Sequence, residues 1–386
     1  MTEHALGVYV HFPFCRRRCP YCDFPTQACQ DIPHADYLAA VLRELDQQAP
    51  RFAGFPLASI YFGGGTPSLW DPAAVARVIQ AVRERFPVVP AGPPPEVTLE
   101  LNPADVTVAT LDRLATAGVN RASLGVQSFQ DRTLRTLGRR HGAAEARTAL
   151  ARLRLSAIPR LSFDLICGVP GQDEQSWGLD LDEALGWERG HVSVYTLSLE
   201  PGTPMGVQAA AGELVLPDDE QVLTMLRLVR RKFAEKGLLC YEISNYARPG
   251  DEARHNLLTW RGLPYLGLGA GAHSHLPGPG PGEATRWANA CLVESYLSSP
   301  QPPRAFEERL SPPETARERL LCRLRLAEGL DLAEHRAHGG ADLVVAAGPA
   351  LRRLEQAGLV QLTEGRLRLT EAGFEVADAV IRLLAP

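Results

Sequence analysis

Three cysteines crowd into one short run, His11-Phe-Pro-Phe-Cys15-Arg-Arg-Arg-Cys19-Pro-Tyr21-Cys22-Asp-Phe24. Three thiolates can hold three irons of a four-iron cluster and leave the fourth iron open to another ligand, unlike the four thiolates of an electron-transfer cluster. A zinc knuckle is the competing use of such a loop, but zinc sites of that kind pair two Cys-x2-Cys halves, and no close second pair follows here. Cys29 is poorly spaced for a further ligand, and Cys167, Cys240, Cys291 and Cys322 read as small buried thiols. Eight cysteines in 386 residues are too sparse for a disulfide-stapled secreted scaffold, and a reducing compartment suits a metal loop.

The loop follows directly on the apolar run GVYVHF, and the later runs SIYFGG, EVTLEL, RASLGV, RLSFDLI and HVSVYTLSL repeat that character. Helix-like stretches such as DYLAAVLRELDQQ and AAVARVIQAVRERF lie between them, which is the pattern of a parallel sheet with covering helices. Six such units between Gly7 and Glu200 are too few for a closed eight-unit barrel. An incomplete (β/α)6 TIM-like barrel or a doubly wound sheet fits this α/β pattern, and the incomplete barrel is preferred. It would span residues 1–235 and carry the cysteine loop at the C-terminal end of its first strand, where barrel enzymes build their sites.

A connecting segment, residues 236–300, holds YEISNYA, a Gly-rich stretch ending GLGAGAHSH and the loop-like run LPGPGPGE. Residues 301–386 read as helices, a short LVQLTEGRLRLT hairpin and a last helix, a smaller C-terminal domain of partly winged-helix character. Composition is that of a soluble globular chain, with 45% apolar and 22% charged residues. The net charge of -5 supplies no overall basic field, so a nucleic-acid partner is not expected and the tail is read as a protein-contact or lid element. There is neither a secretory leader pattern nor a long enough apolar run to span a membrane, and a cytoplasmic location is expected.

Beyond the cysteines, Gly63-Gly64-Gly65-Thr66-Pro67, Glu100-Leu-Asn102-Pro103, Gly125-Val-Gln127-Ser128 and Asp164 fall at the ends of later strands, on the rim a single ligand would occupy. Glycines let backbone approach a ligand closely, so main-chain groups at Gly64, Gly65 and Thr66 could cradle its polar end. Each residue taken singly has a plainer use: Asp164 as a loop cap, Gln127 as a partner for backbone, Arg139 as surface charge beside Arg140. Their order after successive strands favours the site.

Cys15, Cys19, Tyr21 and Cys22 spell Cys-x3-Cys-x-aromatic-Cys, and the sequence thereby resembles the radical S-adenosylmethionine superfamily. Tyr9-Val-His11-Phe-Pro-Phe-Cys15 and Tyr21-Cys22-Asp23-Phe24 resemble more closely the group that contains oxygen-independent coproporphyrinogen III oxidases and haem chaperones, over nearly the whole chain. The resemblance implies a [4Fe-4S] cluster on Cys15, Cys19 and Cys22. It also implies S-adenosylmethionine bound by Tyr9, Gly64, Gly65, Thr66, Glu100, Gln127, Arg139 and Asp164, with Ser198 added by its place after the sixth strand. The ligand's chemistry agrees: its cationic groups need an acceptor such as Glu100, its carboxylate a fork donor such as Arg139, and its ribose an acceptor such as Asp164.

Within that group two features separate the members. The oxidases typically carry a further cysteine two positions after the third cluster ligand, where this chain has Phe24, and an N-terminal extension that a first strand near Gly7 leaves no room for. The stretch His255-Asn256-Leu257-Leu258-Thr259-Trp260 is similar to the haem-chaperone pattern His-Asn-x-x-Tyr-Trp, with Thr259 replacing the tyrosine. The resemblance therefore implies a haem chaperone that transfers haem to a recipient protein, without a catalytic residue set of its own; a radical decarboxylase of coproporphyrinogen III is the alternative. His255 is the candidate axial ligand, Asn256 its orienter and Trp260 an aromatic wall, although a structural, hydrogen-bonded histidine fits His255 equally. The Arg16, Arg17 and Arg18 run could meet haem propionates, offset cluster charge or simply lie in solvent.

Overall fold

The computed structural model describes residues 5–88 and 92–385. Strands β1 (Leu6–Phe12), β2 (Leu57–Gly64), β3 (Glu96–Leu101), β4 (Arg121–Gln127), β5 (Arg160–Cys167) and β6 (His191–Thr196) lie side by side in chain order, every neighbouring pair parallel. A doubly wound sheet reverses its strand order at an internal switch; this one runs straight through its six strands, so right-handed crossovers place the covering helices on one face. The other face is left concave. The expected incomplete (β/α)6 barrel is therefore what forms, and its strands do not close on themselves.

Alternation along each strand sorts the residues. Val8, Val10, Ile60, Phe62, Val97, Leu99 and Leu124 point to the helix side and are fully buried in the main core. Residues of the opposite parity face inward, and they are unusually polar: Tyr9, Tyr61, Thr98, Glu100, Arg121, Ser123, Ser162 and Asp164. The helices start where capping residues dictate. Asp71 accepts from the Ala73 amide ahead of Pro72–Arg85, with Pro72 in the first turn where its missing N–H is harmless. Asp173 and Asp218 cap Glu174–Trp187 and Asp219–Ala234 in the same way.

The sheet is extended beyond the six strands. Next to β6 come β8 (Asn245–Ala247) and then β7 (Leu239–Cys240), both antiparallel to their neighbours. On the other edge β9 (Tyr265–Leu268) pairs parallel with β1, and β10 (His273–Pro277), β11 (Ala284–Asn289) and β12 (Arg304–Leu310) continue antiparallel, giving twelve strands in all. Helix Arg254–Trp260 lies against the N-terminal ends of the strands.

The C-terminal part has its own apolar core, built around Leu320, Leu324, Leu351, Leu354, Leu367, Val380 and Ile381. Helices there surround a three-stranded sheet of Leu330–Asp331, Arg366–Leu369 and Val360–Thr363, the winged-helix-like arrangement expected of the tail. It is joined to the barrel on the side opposite the cysteines: the Ala327 amide donates to the Tyr241 carbonyl at 3.0 Å, and Arg261 pairs with Glu328 at 2.7 Å. Among the described residues no helix is long and apolar enough to cross a membrane.

Candidate functional site

The cysteine loop leaves β1 and returns against itself. Phe14–Cys15 pairs with Gln27–Ala28, the Cys22 amide donates to the Cys19 carbonyl at 3.1 Å, and the Cys29 amide donates to the Cys15 carbonyl at 2.8 Å. The arginine run braces this loop rather than standing free. Arg17 Nη2 donates to the Gly138 carbonyl at 2.5 Å and Arg18 Nε to the Cys22 carbonyl at 3.1 Å, while Arg16 reaches the Gln30 carbonyl. Cys29 turns its thiol to the Asp31 carbonyl, 3.4 Å away, and Cys167 is buried in the core.

Cys15, Cys19 and Cys22 all line one cavity of about 420 Å³, which opens at the C-terminal ends of the strands. Gly64, Gly65, Thr66, Glu100, Gln127, Arg139, Asp164 and Ser198 line it as well, so residues spread over more than 180 positions of sequence converge there. Three thiols on one cavity match the ligand count of a four-iron cluster with one open iron.

Tyr9 stands elsewhere. It lies a layer deeper, its phenol 3.0 Å from His11 Nδ1 and its ring stacked on Tyr61, and it does not line the cavity. His11 in turn has Nε2 3.0 Å from the Pro25 carbonyl, pinning the far side of the cysteine loop. The glycine turn also works differently from the cradle expected of it. The amides of Gly65 and Thr66 donate to the carbonyls of Phe12 and Phe14, at 2.8 and 2.9 Å, so they stitch the turn to the strand that carries Cys15. The Thr66 hydroxyl then sits 3.4 Å from Cys15 Sγ.

Two carboxylates face the cavity from inside the sheet. Tyr61 donates its phenol to Glu100 at 2.7 Å, and the Ser123 hydroxyl donates to Asp164 at 3.4 Å. Burial lifts the Glu100 carboxyl to about 7, helped by the nearby Asp164 charge and opposed by the Tyr61 hydrogen bond. Burial likewise pushes Asp164 up. An acid whose folded value lies above its unfolded one destabilises the fold increasingly as pH rises from the unfolded value to the folded one, here from 4.5 to about 7. Glu100→Gln keeps an acceptor for Tyr61 without the charge, and should stabilise the unloaded protein by on the order of 2 kcal/mol at pH 8 and by far less at pH 5. Thermal melts across that range check it; superimposable wild-type and variant profiles would refute the assignment of a strained charge.

Opposite the carboxylates lie donors and acceptors without partners. Gln127 adopts φ 68, the left-handed region that a non-glycine residue rarely occupies, at a break in the β4–β5 register, and its Oε1 is buried with no hydrogen bond. Arg139 sends Nη1 to within 3.5 Å of Cys19 Sγ and Nη2 to the Gly125 carbonyl at 3.1 Å, leaving a buried Nε unpaired. Buried polar atoms are normally paired, so two orphans on one cavity wall mark a place where a polar ligand completes them. Ser198 is less available, since its hydroxyl donates to Glu200 at 2.7 Å. Tyr195 and Ile166 line the same cavity and carry no motif; only their inward position at strand ends signals them.

The helix bearing His255, Asn256 and Trp260 is at the other end of the barrel from the cysteines. His255 is 7% exposed, with Nδ1 2.9 Å from the Ser59 hydroxyl and its ring stacked on Tyr61 at 5.0 Å. Burial lowers its value to about 4, so it is a neutral ring at pH 7. Asn256 and Trp260 are both half-buried. Phe24 is by contrast 57% exposed at the cavity rim.

The family model of the radical SAM superfamily matches residues 9–184, and that of the HemN C-terminal domain matches residues 310–376. The chain is 37% identical to the heme chaperone HemW of Synechocystis, over 85% of this chain and 80% of that protein. It is 34% identical to the heme chaperone HemW of Mycobacterium tuberculosis, over 100% of this chain and 96% of that one. Among solved structures, the Escherichia coli coproporphyrinogen III oxidase HemN, a radical SAM enzyme, superposes with a TM-score of 0.81 over 99% of this chain and 90% of its own, at 23% identity, a likeness of fold.

Proposed function

Since the chain belongs to the heme chaperone HemW family of radical SAM proteins, we propose that it binds haem, a cysteine-held [4Fe-4S] cluster and S-adenosylmethionine, and passes the haem to a recipient protein. The observation that supports it most is the near-complete coverage of HemW relatives by a chain whose three cysteines share one cavity with unpaired polar atoms. When bound, the cluster would supply an open iron for the amino-acid end of S-adenosylmethionine and an electron for its reductive cleavage. The chain's own residues would do the rest. Cys15, Cys19 and Cys22 hold three irons. Arg139 Nε and Gln127 Oε1 gain the partners they lack, Glu100 and Asp164 receive the ligand's cationic and ribose groups, and Gly64, Gly65, Thr66 and Ser198 bound the cavity. Tyr9 supports this layer from below through His11.

For the haem, His255, Asn256 and Trp260 are the proposed contacts, and their surroundings say what uptake requires. Ligation at His255 needs helix Arg254–Trp260 to lift from Ser59 and Glu96, next to the junction with the C-terminal unit that we assign to the recipient. A paired assay tests the reading. Reconstituted protein titrated with haem should show a saturable Soret band, and the same protein given coproporphyrinogen III, S-adenosylmethionine, reductant and electron acceptor without oxygen should release no protoporphyrinogen IX. His255→Ala should weaken the Soret titration, and Ser59→Ala, which frees the ring, should strengthen it. Many turnovers of decarboxylation would overturn the chaperone function. An unchanged Soret titration in His255→Ala would place the ligand elsewhere.

A further inference from the structure

Arg121 opens β4 and is 3% exposed. It has the parity of Ser123, Gly125 and Gln127, all of which line the cavity, so its side chain enters the concave side of the sheet one pleat beneath them. In register it stands between Thr98 of β3 and Arg160 of β5. Arg160 is neutralised directly by Glu96 at 2.7 Å, whereas Arg121 makes no ion pair within 4.0 Å among the described residues. A buried cation without a partner is strongly unfavourable unless nearby charges compensate it.

The compensation lies above it. Its charge acts on Glu100 and on Asp164, and in both cases it favours the ionised carboxylate. Beneath and beside it Arg160 and Glu96 offset each other as an ion pair, while burial lowers His191 and His255 and raises Tyr241 and Tyr61, which leaves those four neutral at pH 7. Burial pulls both carboxyl groups toward the neutral form, Glu100 to about 7, and Arg121 works against it; Arg139 on the cavity wall acts on Asp164 in the same sense. S-adenosylmethionine, with a sulfonium, an ammonium and a carboxylate, carries one net positive charge.

We propose that Arg121 is a positioning residue for S-adenosylmethionine, a buried counter-charge that holds Glu100 and Asp164 toward their ionised forms so that the cavity floor can receive the ligand's cationic groups. This rests on the cavity being the S-adenosylmethionine site. Without Arg121, the pair would hold a proton more firmly, because like charges in one dry site resist ionising together. Binding the cationic ligand would then have to expel that proton.

The experiment uses the reconstituted full chain, Arg121→Met and Arg121→Lys, with S-adenosylmethionine calorimetry from pH 6.5 to 9 in buffers of different ionisation enthalpy. Arg121→Met should bind about fivefold or more weakly at pH 7, in keeping with a neighbouring cation's usual effect on a carboxyl group, and recover as pH rises. It should release more protons per ligand bound than the wild type does, and Arg121→Lys should restore most of the wild-type profile. A loss equal at every pH with unchanged proton release would make Arg121 merely structural and overturn the proposal, as would wild-type binding throughout. Carboxyl 13C spectra of the unloaded proteins give an independent readout. Arg121→Met should show a larger protonated carboxyl population at pH 7, a signal that Glu100→Gln shifts or removes, and identical spectra would overturn the proposal whether or not the ligand binds. Failure of the wild type to bind S-adenosylmethionine while this spectral change occurs would refute the ligand and leave the charge balance standing.

Discussion

Replacing Cys15, Cys19 and Cys22 together with serine should give a folded protein that takes up almost no iron or sulfide after anaerobic reconstitution, against about four irons per wild-type chain. The fold should survive because the thiols add only two long contacts, Thr66 to Cys15 Sγ at 3.4 Å and Arg139 to Cys19 Sγ at 3.5 Å. Its shape is held by the Cys22 amide on the Cys19 carbonyl, by the Cys29 amide on the Cys15 carbonyl, and by Arg17 and Arg18 on carbonyls of Gly138 and Cys22. Serine keeps all of these backbone bonds. Each single replacement should also cut iron content sharply, since a cluster held by two thiolates is open at two corners. Cys29→Ser should load normally, because its thiol is turned to the Asp31 carbonyl. Iron and sulfide analysis with Mössbauer spectra decides between outcomes: full loading in the triple variant would remove the cluster from this loop, and one zinc per chain with no iron would revive the zinc knuckle.

Gly65→Ala should damage both the fold and the seat of Cys15. A Cβ there would lie 2.7 Å from the Phe14 carbonyl oxygen and 2.8 Å from that of Phe12, and both oxygens are backbone atoms of the strand leading into Cys15. Neither can rotate away, and each already accepts an amide from the glycine turn. Relief requires the turn and the cysteine strand to part, which breaks two hydrogen bonds and displaces Cys15 from the cavity. A loss of roughly 2 to 4 kcal/mol in stability is expected from overpacking of this kind. The reconstituted variant should also hold its cluster and S-adenosylmethionine poorly. Gly186→Ala is the matched control: nothing lies within 4 Å of its added methyl, it sits in helix Glu174–Trp187, and a small gain in stability is expected. Chemical denaturation and iron retention of the two variants side by side test the contrast. Wild-type stability and loading in Gly65→Ala would show that the two strands do not need to be in such close contact.

Several features of the site were legible from the amino acids alone because they are local. The spacing of Cys15, Cys19 and Cys22 is a property of eight consecutive residues, and strand periodicity decides parity, so Glu100, Gln127 and Asp164 could be placed on a common rim before any strand was paired. The order of the runs also carried the incomplete barrel. What the tertiary structure alone decided depends on partners far away in sequence. Tyr9 has the parity of the rim residues but stops a layer below, because its depth is set by the β1–β2 register and by His11. The amides of Gly65 and Thr66 looked free for a ligand until Phe12 and Phe14, more than fifty residues earlier, took them. Arg17 finds its acceptor 121 positions away at Gly138, which turns an open question of charge into a brace. His255 shows the same limit most plainly: motif similarity identifies it, but only the packing of its helix against Ser59 and Glu96 puts it at the opposite end of the barrel from the cysteines. Arg121 carried no motif at all, and its meaning appears only when alternation on three neighbouring strands sets one guanidinium beneath two carboxylates. Spacing specifies chemistry that is covalently close, whereas hydrogen-bond ownership and the balance of buried charge are settled by register, and register exists only in the folded chain.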